Sequence, residues 1–304
     1  MALSDFFDSI FEAVRNATGA TTTLPQETGV VHGALGERGV VPQSDSPAIH
    51  VEPASEHDHA GESTESAPVH PDAEGWIRHP RVFVRPAHQG RWGGKISPAC
   101  VVWHCTDMRP GSGPALDRAR AASKGKGNAE HFCIWEDGTI VQHVPVTRNA
   151  NHAGGEGAAK VNGYHVNTVS LGIELCNPGY LKMRNTGAND PSYKGLTELV
   201  CDDGPTVITD KAVKTESGWR VPYTKAQLDS AEWLARFVLP QCVTLGNGAP
   251  QVTLSWPGKP SLAVYRYGIR HSDINPTQKT DPGPLLDTKQ LGDILALEKN
   301  EPGI

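Results

Sequence analysis

SPACVVWHCT, at residues 97–106, is an apolar run that begins and ends in small or polar residues. Its valines and tryptophan are typical of a β-strand. EHFCIWEDGTIVQHV (130–144) indicates a hairpin in which residues 136–138, Glu-Asp-Gly, supply the turn. TVSLGIELCN (168–177) predicts a further strand. The sequence therefore predicts several short strands between residues 98 and 176.

Helical patterns occur both between these predicted strands and after them in the sequence. PALDRARAAS (114–123) predicts a short helix, and a longer helix begins at Thr224, where Gln227 completes a capping box. A last helix is predicted over roughly 287–297. Strands and helices in this order predict an α/β fold with a mixed central β-sheet flanked by helices. Residues 178–222, rich in Gly, Asn, Asp and Pro, interrupt the pattern as a long insertion.

The first quarter of the chain differs from the rest in composition. Residues 1–75 contain 2 Lys and Arg against 13 Asp and Glu, a net charge of −11, whereas residues 76–304 contain 26 against 21, a net charge of +5. Residues 20–75 have few aromatics and many Ser, Thr, Pro, Glu and Gly, so they cannot bury enough apolar surface to offset the entropy cost of ordering. We therefore predict a flexible acidic linker over 20–75 and a folded domain over 76–304.

Residues 1–19 predict a short amphipathic helix behind Ser4, a candidate N-cap. This helix either packs on its own domain or docks to a delivery or loading partner. It lacks the basic start, the continuous apolar run and the cleavage site of a signal peptide. No stretch of the chain has the length and apolar character of a transmembrane segment. We therefore expect synthesis in the cytoplasm without a signal peptide.

The six cysteines do not form a disulfide framework in a chain of this size. Cys105, Cys133 and Cys176 each lie in an apolar, strand-like run, which indicates buried free thiols.

Three residues form a candidate set of metal ligands. His104 lies near the end of a predicted strand, where a lone histidine can be either structural or a ligand. His271 and Asp281 are ten residues apart in HSDINPTQKTDPGP (271–284), whose Asn-Pro and Pro-Gly pairs indicate a loop that folds back. Neutral imidazole and carboxylate suit Zn²⁺, and three protein ligands leave the fourth tetrahedral position to water, as in a catalytic site.

Six motifs give the chain a family resemblance. They are VVWHCT, AEHFCIWEDGTIVQHVP, NHAGG, NTVSLGIELCN, YTKAQLDSAEWLA and HSDINPTQKTDPGP. In order and spacing they resemble those of the zinc-dependent N-acetylmuramoyl-L-alanine amidases, a family that includes bacterial recycling amidases, amidase-type phage lysozymes and peptidoglycan recognition proteins. The resemblance covers about residues 95–296 and implies the peptidoglycan recognition protein-like amidase fold.

The resemblance also implies roles for individual residues. It implies that His104, His271 and Asp281 bind zinc, that Glu174 acts as the base, and that Lys279 stabilises charge in the transition state. The chemistry agrees with these roles. Zinc lowers the pKa of bound water and polarises a carbonyl, a carboxylate can carry the proton to the leaving amine, and a cation can stabilise the oxyanion.

Two residues are candidates for substrate binding. His152 in NHAGG resembles a family position that lines the substrate cleft, although Asn151 stands where relatives commonly carry an aromatic residue. Glu130 departs from the tyrosine or small residue that is frequent in relatives; it either shares the Glu174 side of the site or is a surface charge on a strand edge. The insertion at 178–222 directly follows the Glu174 strand, so we expect it to form a wall of the cleft.

The resulting hypothesis is an enzyme that hydrolyses the amide between N-acetylmuramic acid and L-alanine in peptidoglycan or a muropeptide, with no nucleic acid as partner. The alternative is a module that binds peptidoglycan without cutting it, which a missing ligand would indicate. The absence of a signal peptide, together with the acidic linker, favours a phage lysin or a delivered effector, acting in the periplasm or on the cell wall, over a cytoplasmic recycling amidase.

Overall fold

The computed structural model describes residues 67–108, 111–122, 127–154, 157–185, 197–200, 212–216, 218–244 and 250–299, with the side chains of 183–200 excepted. The predicted helix at 1–19, most of the predicted linker and Cys201 lie outside these residues. The other five cysteines are all buried free thiols, as predicted.

The described residues contain sixteen strands and five α-helices. The strands are β1 Val82–Val84, β2 Trp92–Lys95, β3 Cys100–Cys105, β4 Phe132–Ile134, β5 Ile140–Gln142, β6 Arg148–Ala150, β7 Lys160–Val161, β8 Tyr164–His165, β9 Ser170–Leu175, β10 Tyr180–Asn185, β11 Thr197–Val200, β12 Val213–Thr215, β13 Gly218–Arg220, β14 Gln251–Ser255, β15 Leu262–Tyr265 and β16 Ile269–Arg270. The helices are α1 Gly113–Ala121, α2 Lys225–Trp233, α3 Leu239–Cys242, α4 His271–Ile274 and α5 Thr288–Glu298, with a π-helical turn at Leu234–Val238 and 3₁₀ turns at Gln89–Arg91 and Val166–Thr168.

The central sheet is six-stranded and mixed, as predicted, in the order β1-β5-β4-β9-β3-β16. Its neighbouring strands run parallel except for β4 and β5, which form the predicted hairpin. Gly138 in the hairpin turn has φ +86°, a left-handed conformation that glycine adopts without a steric penalty. Smaller sheets, β15-β14-β7-β8 and the pair β2-β6, lie outside this central sheet.

Side-chain alternation gives the two faces of the central sheet different neighbours. In β3, Val101 and Trp103 belong to the main hydrophobic core, which also contains Leu234 and Leu295 from the helical segments. Val102 belongs to a second core, on the other face of the strand. His104 shares this second face, so it lies on the side of the central sheet opposite the main hydrophobic core.

The helix ends follow the predicted capping signals. The Thr224 hydroxyl accepts a hydrogen bond from Gln227 N, and Gln227 Oε1 accepts one from Thr224 N, which completes the predicted capping box. Asp287 caps α5 by accepting from Gln290 N. No helix in the described ranges combines the length and the apolar character needed to cross a lipid bilayer.

The insertion at 178–222 contains strands that the sequence analysis did not predict. Strands β10, β11, β12 and β13 form an antiparallel sheet in the order β11-β10-β13-β12. Its base is hydrogen-bonded to the rest of the domain, because Arg220 Nη2 donates to Thr280 O (3.3 Å) and Asn177 Nδ2 donates to Val221 O (3.2 Å).

The predicted domain boundary at residue 76 is too late in the chain. Val69 N donates to Phe237 O at 2.8 Å, Pro71 forms a bridge with Ile77, and the Asp72 carboxylate accepts from three following backbone amides. These contacts place residues 69–75 in the folded domain rather than in the linker. Amino-acid composition could not reveal this boundary, because most of the contacts are made by backbone groups.

Candidate active site

The register of the central sheet brings the predicted catalytic and ligand residues together. His104 on β3 is the pairing partner of Glu174 on β9, and Cys133 on β4 is the next partner in the same row. These three side chains share the face opposite the main helices. The loop after β16 carries His271 and Asp281 to the same place, since His271 Nδ1 lies 3.1 Å from Asp281 Oδ2.

The three predicted ligands form a buried cluster of nitrogen and oxygen atoms. Asp281 Oδ2 lies 3.1 Å from His271 Nδ1 and 3.5 Å from His104 Nδ1, and the three side chains are buried. Ligand atoms about 2.0–2.1 Å from a tetrahedral zinc ion are roughly 3.3–3.4 Å from one another, so these separations fit such an ion. Asp281 Oδ1 and His271 Nε2 have no hydrogen-bond partner among the described residues. The residues present therefore fit a divalent cation.

A chain of hydrogen bonds fixes which nitrogen of His104 faces the cluster. Val166 O can only accept, so the Ser170 hydroxyl donates to it (2.7 Å). Ser170 Oγ then accepts from His152 Nε2 (3.1 Å), which leaves His152 Nδ1 to accept from His104 Nε2 (3.0 Å). His104 Nδ1 consequently has no proton and presents its lone pair toward Asp281. A metal-bound histidine is commonly oriented through its second nitrogen in this way.

Burial and neighbouring charges keep these histidines neutral. Burial, followed by the adjacent His271, lowers the pKa of His104 to about 4. Burial, followed by His104, also lowers the pKa of His152 well below its ordinary value. For Asp281, burial alone would raise the pKa, but His271 and His104 outweigh it and hold the pKa well below its usual range. The site thus offers a neutral His104 and an ionised Asp281, the forms that bind a metal.

His152 lies beneath the cluster rather than at an open surface. It is 6% exposed, and its ring packs on Gly172, where an added Cβ would come within 2.3 Å of the ring. The prediction that His152 contacts substrate therefore stays a prediction, and the contacts of its ring assign it to holding His104. Ser170, the other member of this chain, was not identified from the sequence, because a serine in a strand carries no distinguishing signal.

Glu174 is a carboxylate of high proton affinity beside the cluster. Its side chain is 13% exposed, and burial raises its pKa to about 8, with Glu130 adding to the shift and Arg120 opposing it. Arg120 Nη2 lies 3.4 Å from Glu174 Oε2. A carboxylate that can hold a proton near neutral pH is suited to general acid–base chemistry.

Lys279 supplies a positive charge near both parts of the site. After the larger effects of burial and nearer charges, the positive charge of Lys279 lowers the pKa of both His104 and Glu174. Its backbone N donates to Asn275 O (2.9 Å), which holds the loop in place, and its side chain is partly exposed. In the part of the chain that the structure describes, its ammonium group has no ion-pair partner.

Glu130 is fully buried, so the alternative that it is a surface charge on a strand edge is wrong. Its Oε2 lies 2.7 Å from Arg120 Nη2, which places it on the Glu174 side of the site. Direct contact with substrate stays a prediction for Glu130. The neighbouring His131 has a structural role, since its ring bonds Arg148 O and Gly172 N. Arg120 was not identified from the sequence, where it is one of two arginines in the predicted helix at 114–123.

The site is a buried cluster of two histidines and an aspartate beside a carboxylate of high proton affinity, an arrangement suited to hydrolysis. Residues 94–284 match the N-acetylmuramoyl-L-alanine amidase family, and this chain belongs to that family. It is accordingly an amidase that acts on an amide bond of peptidoglycan. No curated protein sequence matches the chain.

Several solved structures are similar to the chain at low sequence identity. A selenomethionine derivative of AmpD is 19% identical with a TM-score of 0.39, covering 73% of this chain and 97% of that one. AmiD from E. coli, in complex with anhydro-N-acetylmuramic acid-L-Ala-D-γ-Glu-L-Lys, is 20% identical with a TM-score of 0.37, covering 66% and 59%. The amidase LysC from Clostridium intestinale is 18% identical with a TM-score of 0.36, covering 70% and 95%.

The raised pKa of Glu174 predicts a pH dependence of stability in metal-free protein. Between pH about 4.5 and about 8 the folded chain keeps a proton on Glu174 that the unfolded chain has lost, so the free energy of unfolding falls as pH rises. One pKa unit corresponds to about 1.4 kcal/mol. We therefore expect the free energy of unfolding of the wild type to fall by at least about 2 kcal/mol over this pH range, and we expect no such fall in Glu174→Gln. Urea unfolding across this pH range measures the free energy of unfolding.

Glu232→Gln is the control, because Glu232 is exposed. It should show the same dependence of unfolding free energy on pH as the wild type. The same dependence in Glu174→Gln would contradict a raised pKa for Glu174.

Proposed function

We propose that the chain is a zinc-dependent amidase that hydrolyses the bond between the lactyl group of N-acetylmuramic acid and L-alanine in peptidoglycan. The observation that carries this proposal is the convergence of His104, His271 and Asp281 beside Glu174. A cluster of neutral imidazoles and a carboxylate suits Zn²⁺, and three protein ligands are the usual number in a catalytic zinc site.

His104, His271 and Asp281 would hold the zinc ion. When bound, zinc supplies a Lewis acid that polarises the scissile carbonyl and makes water acidic enough to attack it near neutral pH. The Ser170–His152 chain keeps the lone pair of His104 Nδ1 directed at the site, so this ligand does not have to change tautomer before binding.

Glu174 carries the proton in the proposed reaction. Its carboxylate takes a proton from the attacking water, holds it, and donates it to the nitrogen of the departing L-alanine. An amine is a poor leaving group unless it is protonated, so this transfer is needed for the C–N bond to break. Lys279 places its ammonium group where negative charge develops on the carbonyl oxygen, and such a charge stabilises the transition state more than the ground state.

We propose further that the substrate cleft is bounded by the insertion at 178–222. The insertion begins three residues after β9 and returns to the loop that carries the ligands through the Arg220–Thr280 hydrogen bond. Its base therefore lies beside the reacting groups. His152 and Glu130 remain candidate substrate residues in this proposal, although both side chains are buried.

Intact sacculi digested with the protein test the proposal by mass analysis. An amidase releases stem peptides with a free amino-terminal L-alanine. It leaves glycan strands whose muramic acid residues carry a free lactyl carboxylate. Shortened glycan with attached peptides would instead identify a glycosidase. Retention of the protein on uncut sacculi would identify a binding module, and either result would reject the proposed reaction.

The biological setting is a separate part of the proposal. We propose delivery to the wall, as a phage lysin or an effector, with residues 1–66 serving a delivery or loading partner. In the same sacculus assay, a chain that starts at residue 67 should retain full hydrolysis, because residues 69–75 keep their contacts with the domain. Loss of hydrolysis would place residues 1–66 in catalysis and remove this support for delivery.

A further inference from the structure

A row of five ionisable side chains runs from α1 to Glu174. His143 Nε2 lies 3.2 Å from Asp117 Oδ1 and 3.5 Å from Glu130 Oε1. Glu130 Oε2 lies 2.7 Å from Arg120 Nη2, and the same nitrogen lies 3.4 Å from Glu174 Oε2. Each of these side chains is at least 87% buried. Water therefore cannot screen these charges as it would at a surface.

Acidic and basic side chains alternate along this row. Arg85 O can only accept, so His143 Nδ1, 2.9 Å away, carries a hydrogen. His143 Nε2 faces carboxylate oxygens of Asp117 and Glu130. The row thus places the His143 ring between Asp117 and Glu130, and the Arg120 guanidinium between Glu130 and Glu174. Buried charges are stable only when they are paired in this way.

Arg120 is held by groups other than Glu174. Its Nη1 donates to Asn128 O at 2.6 Å, and its Nη2 is closer to Glu130 than to Glu174 by 0.7 Å. A guanidinium free of Glu130 could approach Glu174 and bind both of its oxygens, since bidentate pairing with one carboxylate is the preferred geometry of arginine. Glu130 therefore keeps the contact between Arg120 and Glu174 to a single oxygen.

Glu130, Cys133 and His143 also lie close enough together to hold a metal ion. The Arg120 guanidinium already supplies the positive charge at this point, at salt-bridge distance from Glu130. We therefore favour a role for the row in charge pairing rather than in metal binding.

We propose that Arg120 is a positioning residue that orients the Glu174 carboxylate through one oxygen, and that Glu130 is the counter-charge that prevents Arg120 from occupying both. The proposal rests on the proposed function, in which Glu174 must keep one oxygen available for the attacking water. It also accounts for a carboxylate at position 130, where the resemblance predicts a tyrosine or a small residue. Glu130 has no exposed surface, and its closest charged partner is Arg120, through which it acts in this proposal.

A double-mutant cycle on Arg120 and Glu130 tests this arrangement. In Glu130→Gln, Arg120 closes on Glu174, and we expect kcat for stem-peptide release to fall about tenfold with little change in KM. Arg120→Gln leaves Glu174 unheld and should lower kcat about 10- to 100-fold, because misplaced catalytic groups cost this much. In the Arg120→Gln background, however, Glu130→Gln has no guanidinium to release toward Glu174. The double variant should therefore match Arg120→Gln, with no further loss of kcat.

The absence of a further loss in the double variant separates positioning from general damage, which would add the two losses. Arg91→Gln is the matched control, because Arg91 is also a buried arginine that donates to Asn128 O (3.2 Å) but has no ion-pair distance to Glu174 among the described residues. It should leave kcat within about twofold. Arg120→Lys, which keeps the charge, should recover part of the kcat lost in Arg120→Gln.

Three results would overturn the proposal. They are kcat within twofold of wild type in both single variants, a double variant slower than both singles, and a loss in Arg91→Gln equal to that in Arg120→Gln. Zinc content and the thermal midpoint are measured for each variant. If Arg120→Gln does not fold, Glu130→Gln, which keeps side-chain size, tests the proposal on its own. If the wild type released no stem peptide, the proposed function itself would fail.

Discussion

Glu174→Gln is expected to lower kcat for stem-peptide release by about 10²- to 10⁴-fold, the range that proton transfer by a positioned side chain contributes. Glutamine keeps the size of the side chain and can still accept from Arg120, but it cannot take a proton from water. Because Glu174 is proposed to carry the same proton to the leaving amine, the substitution affects both halves of the reaction. Substrate binding does not depend on this proton, so KM should change little.

The controls for this variant concern the fold and the metal. Glu232→Gln on the exposed side of α2 makes the same chemical change away from the site and should leave kcat unchanged. Zinc content of Glu174→Gln should equal that of wild type, since Glu174 is not among the three converging ligands. A Glu174→Gln protein that cuts sacculi at the normal rate would exclude Glu174 as the base.

His271→Ala is expected to abolish hydrolysis together with zinc binding. The substitution removes one of three ligands and leaves Asp281 buried beside only one imidazole, so the two remaining groups would bind the ion weakly. Activity should fall by more than about 10³-fold, because the Lewis acid and the acidic water are lost at once. Zinc per chain, measured by elemental analysis after gel filtration, and peptide release are the readouts.

Chelation gives the same test without a mutation. Wild-type protein treated with a chelator should lose activity and regain it on addition of zinc, whereas His271→Ala should not respond to zinc at stoichiometric concentration. His70→Ala is the matched control, because His70 is exposed at the start of the described chain. Full activity in His271→Ala, or in chelated wild type shown to contain no zinc, would contradict a catalytic metal.

The parts of the fold set by local patterns were predictable. The hairpin around Gly138, the capping box at Thr224 and Gln227, and the strand ending near His104 each have a short-range signal, and each was found. The strands of the insertion were missed, because a segment rich in Gly, Asn and Asp resembles a loop until its backbone hydrogen bonds are known. The boundary before Val69 was missed for a similar reason, since composition does not report a backbone contact such as that with Phe237 O.

The site shows the same division. Spacing and residue type were sufficient to propose His104, His271 and Asp281, and the structure brings them together. Ser170 and Arg120 act on their partners through long-range contacts, which a single sequence does not display. The position of Glu174 beside His104 depends on the register of β3 and β9, that is, on which of their residues lie side by side.

The way the C-terminal end of the insertion is anchored has a consequence for engineering. Arg220 bonds Thr280 O, Tyr223 OH bonds Pro282 O (2.8 Å), and Gly283, at φ +80°, leaves room for the Arg220 guanidinium. All three contacts lie at the base, so this part of the insertion is a fixed anchor for the loop that carries the ligands. Segments exchanged between residues 186 and 211 leave that anchor intact. The outer part of the insertion can therefore be exchanged to test what it contributes to substrate choice, while the anchored base keeps the ligand loop in place.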